Sequence, residues 1–171
     1  MYFKIIVGLI HFFIICILCF YGFFSQKKIL FDYIYIYILL LVVILWNIFN
    51  GECFITLFIK KLNNKNYING SDLKNQADFS FLPISNDNIN LIINIFFIFS
   101  IFSIYIVSNR NNFPLIFILS IIIVFILYKF FITIYENHHI NSDFQYYQRI
   151  IFYILLIQLI ILIHFTINKF M

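Results

Sequence analysis

The chain has 171 residues, of which 64% are hydrophobic and only 11% charged. Soluble domains carry roughly 25% charged residues, so this balance excludes an ordinary soluble fold. The net charge of +4 is scattered over the ends of apolar stretches and forms no basic stripe, which argues against a nucleic-acid partner.

Five apolar runs follow one another: Tyr2–Phe24, Ile29–Ile59, Ile89–Ser108, Pro114–Tyr135 and Ile150–Lys169. A hydrocarbon core of ~30 Å is crossed by roughly 20 residues of helix, and every run reaches that length. The expected fold is therefore all-α: one integral membrane domain over 1–171, a bundle of about five transmembrane helices. Connections are short except for a polar loop at 60–88. The lipid bilayer is the partner this composition demands, and other membrane subunits are a second class. Nothing in the sequence calls for a cofactor or a metal. Ile, Phe, Asn and Tyr dominate and Ala77 is the only alanine, a bias expected of an A/T-rich genome.

The first run opens with Lys4 and resembles a signal peptide, but Tyr21-Gly22-Phe23-Phe24-Ser25-Gln26 is too bulky for a signal-peptidase site, so an uncleaved span is expected. It contains His11 and a Cys16-Ile17-Leu18-Cys19 pair. A C-x-x-C in a membrane helix is the redox centre of quinone–thiol enzymes, but the third cysteine, Cys53, belongs at the opposite membrane face. Two inert apolar thiols are expected.

The second run is anomalous, because Ile29–Ile59 would extend roughly 46 Å as one straight helix. Asp32, Tyr33, Tyr35 and Tyr37 at its start suit a headgroup belt. Asn47-Ile48-Phe49-Asn50-Gly51-Glu52-Cys53 then interrupts the apolar run. Either the helix kinks or unwinds at Gly51 and re-enters along the surface, or the bundle buries Glu52. Trp46, Cys53-Phe54-Ile55-Thr56, Tyr67 and Gly70 form a spaced pattern. It resembles small uncharacterised polytopic membrane proteins in which a helical tryptophan precedes a Cys-Pro-Leu-Thr-like end and a Tyr-x-x-Gly element; hypothetical membrane proteins of giant DNA viruses are similar in Gly51-Glu52-Cys53 and Thr56. Phe54 stands where that pattern has proline. The resemblance covers residues 5–85 and implies an integral membrane fold without an assigned activity.

Basic residues at the span ends set orientation. With five spans, side A holds Lys4, Lys60, Lys61, Lys65, Lys74 and Arg149, and side B holds Lys27, Lys28, Arg110 and Lys169. The positive-inside rule then turns side A to the cytoplasm or matrix, where the sequon Asn69-Gly70-Ser71 would stay unmodified. Which membrane is crossed, organellar, viral or host, is left open by the sequence.

Counted from side A at ~1.5 Å per residue, His11, Asn50, Glu52, Asn94, Lys129 and Gln158 fall within one slab about 8–13 Å deep. Ionisable groups there are costly and tend to pair, so a Glu52–Lys129 ion pair hydrogen-bonded by His11, Asn94 and Gln158 is expected, against an alternative in which Lys129 snorkels and Glu52 is interfacial. In the loop at 136–149, His138, His139 and Asp143 lie at spacings seen in acyltransferase and metal sites. No second motif accompanies them, and an interfacial loop is the plainer reading. His11 and His164 differ by about 9 Å in depth, too far apart for axial ligation of one haem.

Four glycines and one alanine leave little for small-xxx-small packing, so interdigitated Phe, Ile and Leu are expected. The favoured function is a non-enzymatic accessory, assembly or viral membrane component. The alternative is a site-bearing protein, either a small transporter or channel using the polar slab or an interfacial lipid-modifying enzyme.

Overall fold

The computed structural model describes residues 2–135 and 142–171, and these are helical throughout apart from turns and the 64–85 loop. Among the described residues six α-helices follow in order: α1 (Tyr2–Phe24), α2 (Ile29–Ile48), α3 (Phe54–Asn63), α4 (Asn86–Arg110), α5 (Leu115–Tyr135) and α6 (Ser142–Phe170). Four of them, α1, α2, α4 and α6, are long and apolar enough to cross a bilayer, and Leu115–Phe130 of α5 is a shorter apolar stretch. The chain is an all-α protein of the membrane type.

The second apolar run is two helices, not one. At its break Asn50 and Gly51 both adopt positive φ, 55° and 94°. The Gly51 amide donates to the Trp46 carbonyl at 2.8 Å and the Asn50 amide to Asn47 at 3.4 Å. That pair of bonds is a Schellman cap with asparagine in the left-handed position, which ends α2 at Ile48 instead of carrying it to Ile59. The same device closes α4, where Asn112 has φ 58° and the Phe113 amide reaches back to Ser108 at 3.1 Å. Pro114 stands just before α5, where its carbonyl accepts from the Phe117 and Ile118 amides and its missing N–H costs no hydrogen bond.

Helix α1 packs mainly on α4, α2 on α6, and α5 between α4 and α6. Tyr33, Ile36, Leu40, Val43, Ile104, Ile121, Phe125, Leu155 and Leu162 are among the residues of the shared core. The α1–α4 contact departs from the bulky packing expected of the composition. Gly22 lies so close to Ser103 that a Cβ there would sit 2.6 Å from the Ser103 carbonyl, and the Gly22 amide donates to Ser103 Oγ at 2.7 Å. Ser100 Oγ meets Cys19 Sγ at 3.3 Å on the same seam. Serines, not alanines, supply the small partners here.

The start of α2 is also packed inside the helix bundle. Asp32, Tyr33 and Tyr35 are buried. Asp32 accepts from Arg110 Nε at 2.9 Å, Asn111 Nδ2 at 2.8 Å and Tyr21 Oη at 2.9 Å, while Arg110 Nη1 also donates to the Ser25 carbonyl at 2.6 Å. This network ties the side-B ends of α1, α2 and α4 together and satisfies a buried charge that would otherwise be prohibitive.

Candidate functional site

On side A the connection after α2 folds back against α1. The short helix α3 buries Thr56, Leu57, Ile59 and Lys60 and leaves Phe54, Phe58 and Leu62 exposed. Its charge anchor is local. Glu52 Oε1 accepts from Lys60 Nζ at 2.7 Å and from Tyr67 Oη at 2.5 Å, and Oε2 accepts from the Gly70 amide at 3.1 Å. Lys60 also donates to the Asp72 carbonyl and to Tyr67 Oη, so both buried charges have several partners. Glu52 is thus paired with Lys60, eight residues on, rather than with Lys129. Its other partners, Tyr67 and Gly70, are the loop residues of the spaced Trp-Cys-Tyr-Gly pattern. They act here as the clamp that wraps the loop over α3.

The clamp holds Cys53 at the N-cap of α3, half-buried and facing α1. Opposite it stands His11, whose Nε2 lies 3.2 Å from Cys53 Sγ. The other ring nitrogen, Nδ1, is 2.5 Å from Asp78 Oδ2. Asp78 comes from a 3-10 turn over Ala77–Phe79 in the polar loop and is only 1% exposed. The turn can approach because residue 8, one helical turn before His11, is glycine. An added Cβ at Gly8 would lie 2.1 Å from the Asp78 carbonyl oxygen and 2.5 Å from Phe81 Cε1. Phe79 completes the arrangement, stacking on the imidazole with centroids 5.5 Å apart.

The three groups are bonded in line through the two nitrogens of one imidazole. They do not converge on a common point as metal ligands would, and no three His, Cys, Asp or Glu side chains do so among the described residues. A carboxylate on Nδ1 fixes the tautomer that leaves Nε2 able to take a proton from the thiol. Burial pushes the Cys53 thiol up, but the hydrogen bond to His11, the charge of that ring and the Ile55 and Thr56 amides outweigh it and hold the thiol below its usual range. A helix N-terminus favours the anion for the same reason. The arrangement has the parts of a nucleophile–base–orienter set.

The remaining members of the expected slab are dispersed. Asn50 donates to the Asn69 carbonyl at 3.3 Å and accepts from Gln148 at 3.3 Å, so it serves the cap and the α2–α6 contact. Asn94 is exposed on α4, away from the interior. Lys129 is half-buried on α5. Gln158 is buried in the core of α6, and neither its Oε1 nor its Nε2 has a hydrogen-bond partner among the described residues. His138 and His139 lie outside the described residues, as does the side chain of Asp143. His164 is exposed and bonds Asn168 at 2.9 Å. Cys16 and Cys19 are free thiols.

Cys53 and Asp78 are the residues of this site that sequence reasoning missed. A signal was available in Ala77-Asp78-Phe79, an acidic residue between two apolar ones in a polar loop, together with a glycine one turn from the only histidine of α1. Comparison with protein-family models, curated proteins and solved structures yields no match. The geometry must speak for itself.

Proposed function

We propose that this membrane protein is an interfacial acyl-transfer enzyme that works through a thioester on Cys53. The observation supporting the reading is the linear Cys53–His11–Asp78 arrangement, with Nε2 3.2 Å from the thiol and Nδ1 2.5 Å from the carboxylate. In the first half-reaction the Cys53 thiolate attacks the carbonyl carbon of an ester or thioester donor. The carbon–sulfur bond forms and the bond to the leaving group breaks. His11 has taken the thiol proton and returns it through Nε2 to the departing oxygen or sulfur. In the second half-reaction an acceptor hydroxyl, amine or water attacks the thioester, gives its proton to His11 and releases Cys53 as the thiolate.

An apolar donor fits the surroundings. Phe79 covers the imidazole, Phe12 packs edge-on against Phe79, and the outer face of α3 presents Phe54, Phe58 and Leu62, a stripe suited to the acyl boundary of a bilayer. The placement of a charged relay beside such a stripe favours this reading over a purely structural subunit, which has no need of a polarised thiol.

The test is acylation of the detergent-purified chain by 4-nitrophenyl laurate, followed by peptide mapping. The lauroyl group is expected on Cys53, with release of nitrophenolate. Cys53→Ala should abolish the adduct, while Cys16→Ala and Cys19→Ala should leave it intact. Equal acylation of Cys16 and Cys53, or a Cys53 that stays unmodified in folded protein, would overturn the proposal.

A further inference from the structure

The other side-A feature without a role is an open cavity of about 360 Å³ between the C-terminal end of α2 and the first turns of α6. Its inner wall is amide-rich and internally tied. Asn47 Nδ2 donates to the Gln148 carbonyl at 3.2 Å, and Gln148 Nε2 donates to the Asn47 carbonyl at 2.9 Å. Those bonds tie the end of α2 to the first turns of α6 and fix the position of the wall. Arg149 lines the same cavity, is exposed, and has no ion-pair partner among the described residues. Gln145 stands one turn before it on α6. The rim toward the membrane is of a different character: Ile48, Phe152 and Tyr153 line it, with Ile48 and Tyr153 largely exposed.

We infer that this cavity binds the phosphate of an anionic glycerophospholipid, with Arg149 as the principal cation. A guanidinium offers paired N–H donors that match two phosphate oxygens, and Gln145 adds an amide donor on the same wall. The aromatic and aliphatic rim supplies a surface for the glycerol and upper acyl region, which a free phosphate would leave unused. A phenol at this level is also the usual interfacial anchor. The site is independent of the Cys53 reading, since neither its residues nor its ligand depend on the thiol.

The experiment is native mass spectrometry of the full chain after delipidation in detergent, titrated separately with phosphatidylglycerol, phosphatidylcholine, glycerol 3-phosphate and inorganic phosphate. Phosphatidylglycerol is expected to bind about tenfold more tightly than phosphatidylcholine, whose trimethylammonium offsets the same phosphate charge beside Arg149. Arg149→Gln should erase that preference and Arg149→Lys should keep part of it. Lys61→Gln removes an equal charge from the exposed surface of the same side and should leave the preference unchanged. A Lys61→Gln loss as large as that of Arg149→Gln would reduce the effect to diffuse surface charge and overturn the site. Binding of glycerol 3-phosphate or inorganic phosphate as tight as that of the lipid would overturn the lipid assignment.

Discussion

Replacing Gly8 by alanine sets two effects of opposite sign against each other. In a helix whose residue 8 faced lipid or water, the change would stabilise α1 by about 0.8–1 kcal/mol through helix propensity alone. Here the added Cβ would lie 2.1 Å from a backbone carbonyl that cannot rotate away, and 2.5 Å from an aromatic carbon. Relief to an ordinary contact of about 3.5 Å moves the Ala77–Phe79 turn outward by more than ~1 Å. The Asp78–His11 contact of 2.5 Å then stretches beyond hydrogen-bonding distance. Overpacking of this kind costs about 1–3 kcal/mol, so the net effect on stability is a loss. The larger effect falls on chemistry, because a ~1 Å misplacement of an orienting group costs on the order of 10²-fold in rate. Thermal unfolding in detergent and single-turnover acylation of Cys53 read the two quantities separately. A Gly8→Ala protein that is more stable than the parent and acylates at the parental rate would refute both the packing and the role assigned to Asp78.

Three other outcomes follow from the same contacts. Alkylation of Cys53 by iodoacetamide should reach half its maximal rate at a lower pH than that of an ordinary exposed thiol, and His11→Gln should move the profile to higher pH. Glu52→Gln strands the buried Lys60 ammonium and should cost about 3–5 kcal/mol in detergent unfolding, while the Glu52→Gln/Lys60→Met double change should recover much of it. Combining Glu52→Gln with Lys129→Met should recover nothing beyond the sum of the single effects. For orientation, the six-to-four excess of basic residues on side A predicts that a single cysteine at exposed Ser71 is shielded from an impermeant label outside intact vesicles, while one at exposed Asn112 reacts. The reverse pattern would invert the topology.

The helices were legible because bilayer-length apolar runs leave little choice of structure, and the Asn50-Gly51 break announced itself in composition. What composition could not convey was how far the break displaced the rest of the run. Residues 54–63 read as the end of a span, yet they form a separate helix whose Lys60 is buried as the partner of Glu52. Counting depth placed His11 and Glu52 at one level, and both do lie in the side-A assembly. A depth count says nothing of azimuth, however, and Asn94 is exposed on α4 while Gln158 is buried in the core. Asp32 and Arg110 were read at the surface as parts of a belt and a flank; only the packing of α1, α2 and α4 turns them inward. Asp78 is hard to single out in the sequence because the composition of the 60–88 loop is polar, whereas in the fold Ala77 and Phe79 draw that turn against α1.

The central claim is that Asp78 acts only through His11, and His11 on Cys53. Single-turnover acylation rates of the parent, His11→Gln, Asp78→Asn and the double variant test it most directly, provided that all four bind the acyl donor alike. Groups that work as a unit are strongly non-additive. The account predicts that each single change slows acylation by on the order of 10²–10⁴-fold, the scale of general-base assistance. It further predicts that the double variant is no slower than His11→Gln alone. Multiplying losses in the double variant, or an Asp78→Asn rate equal to the parent's, would contradict it.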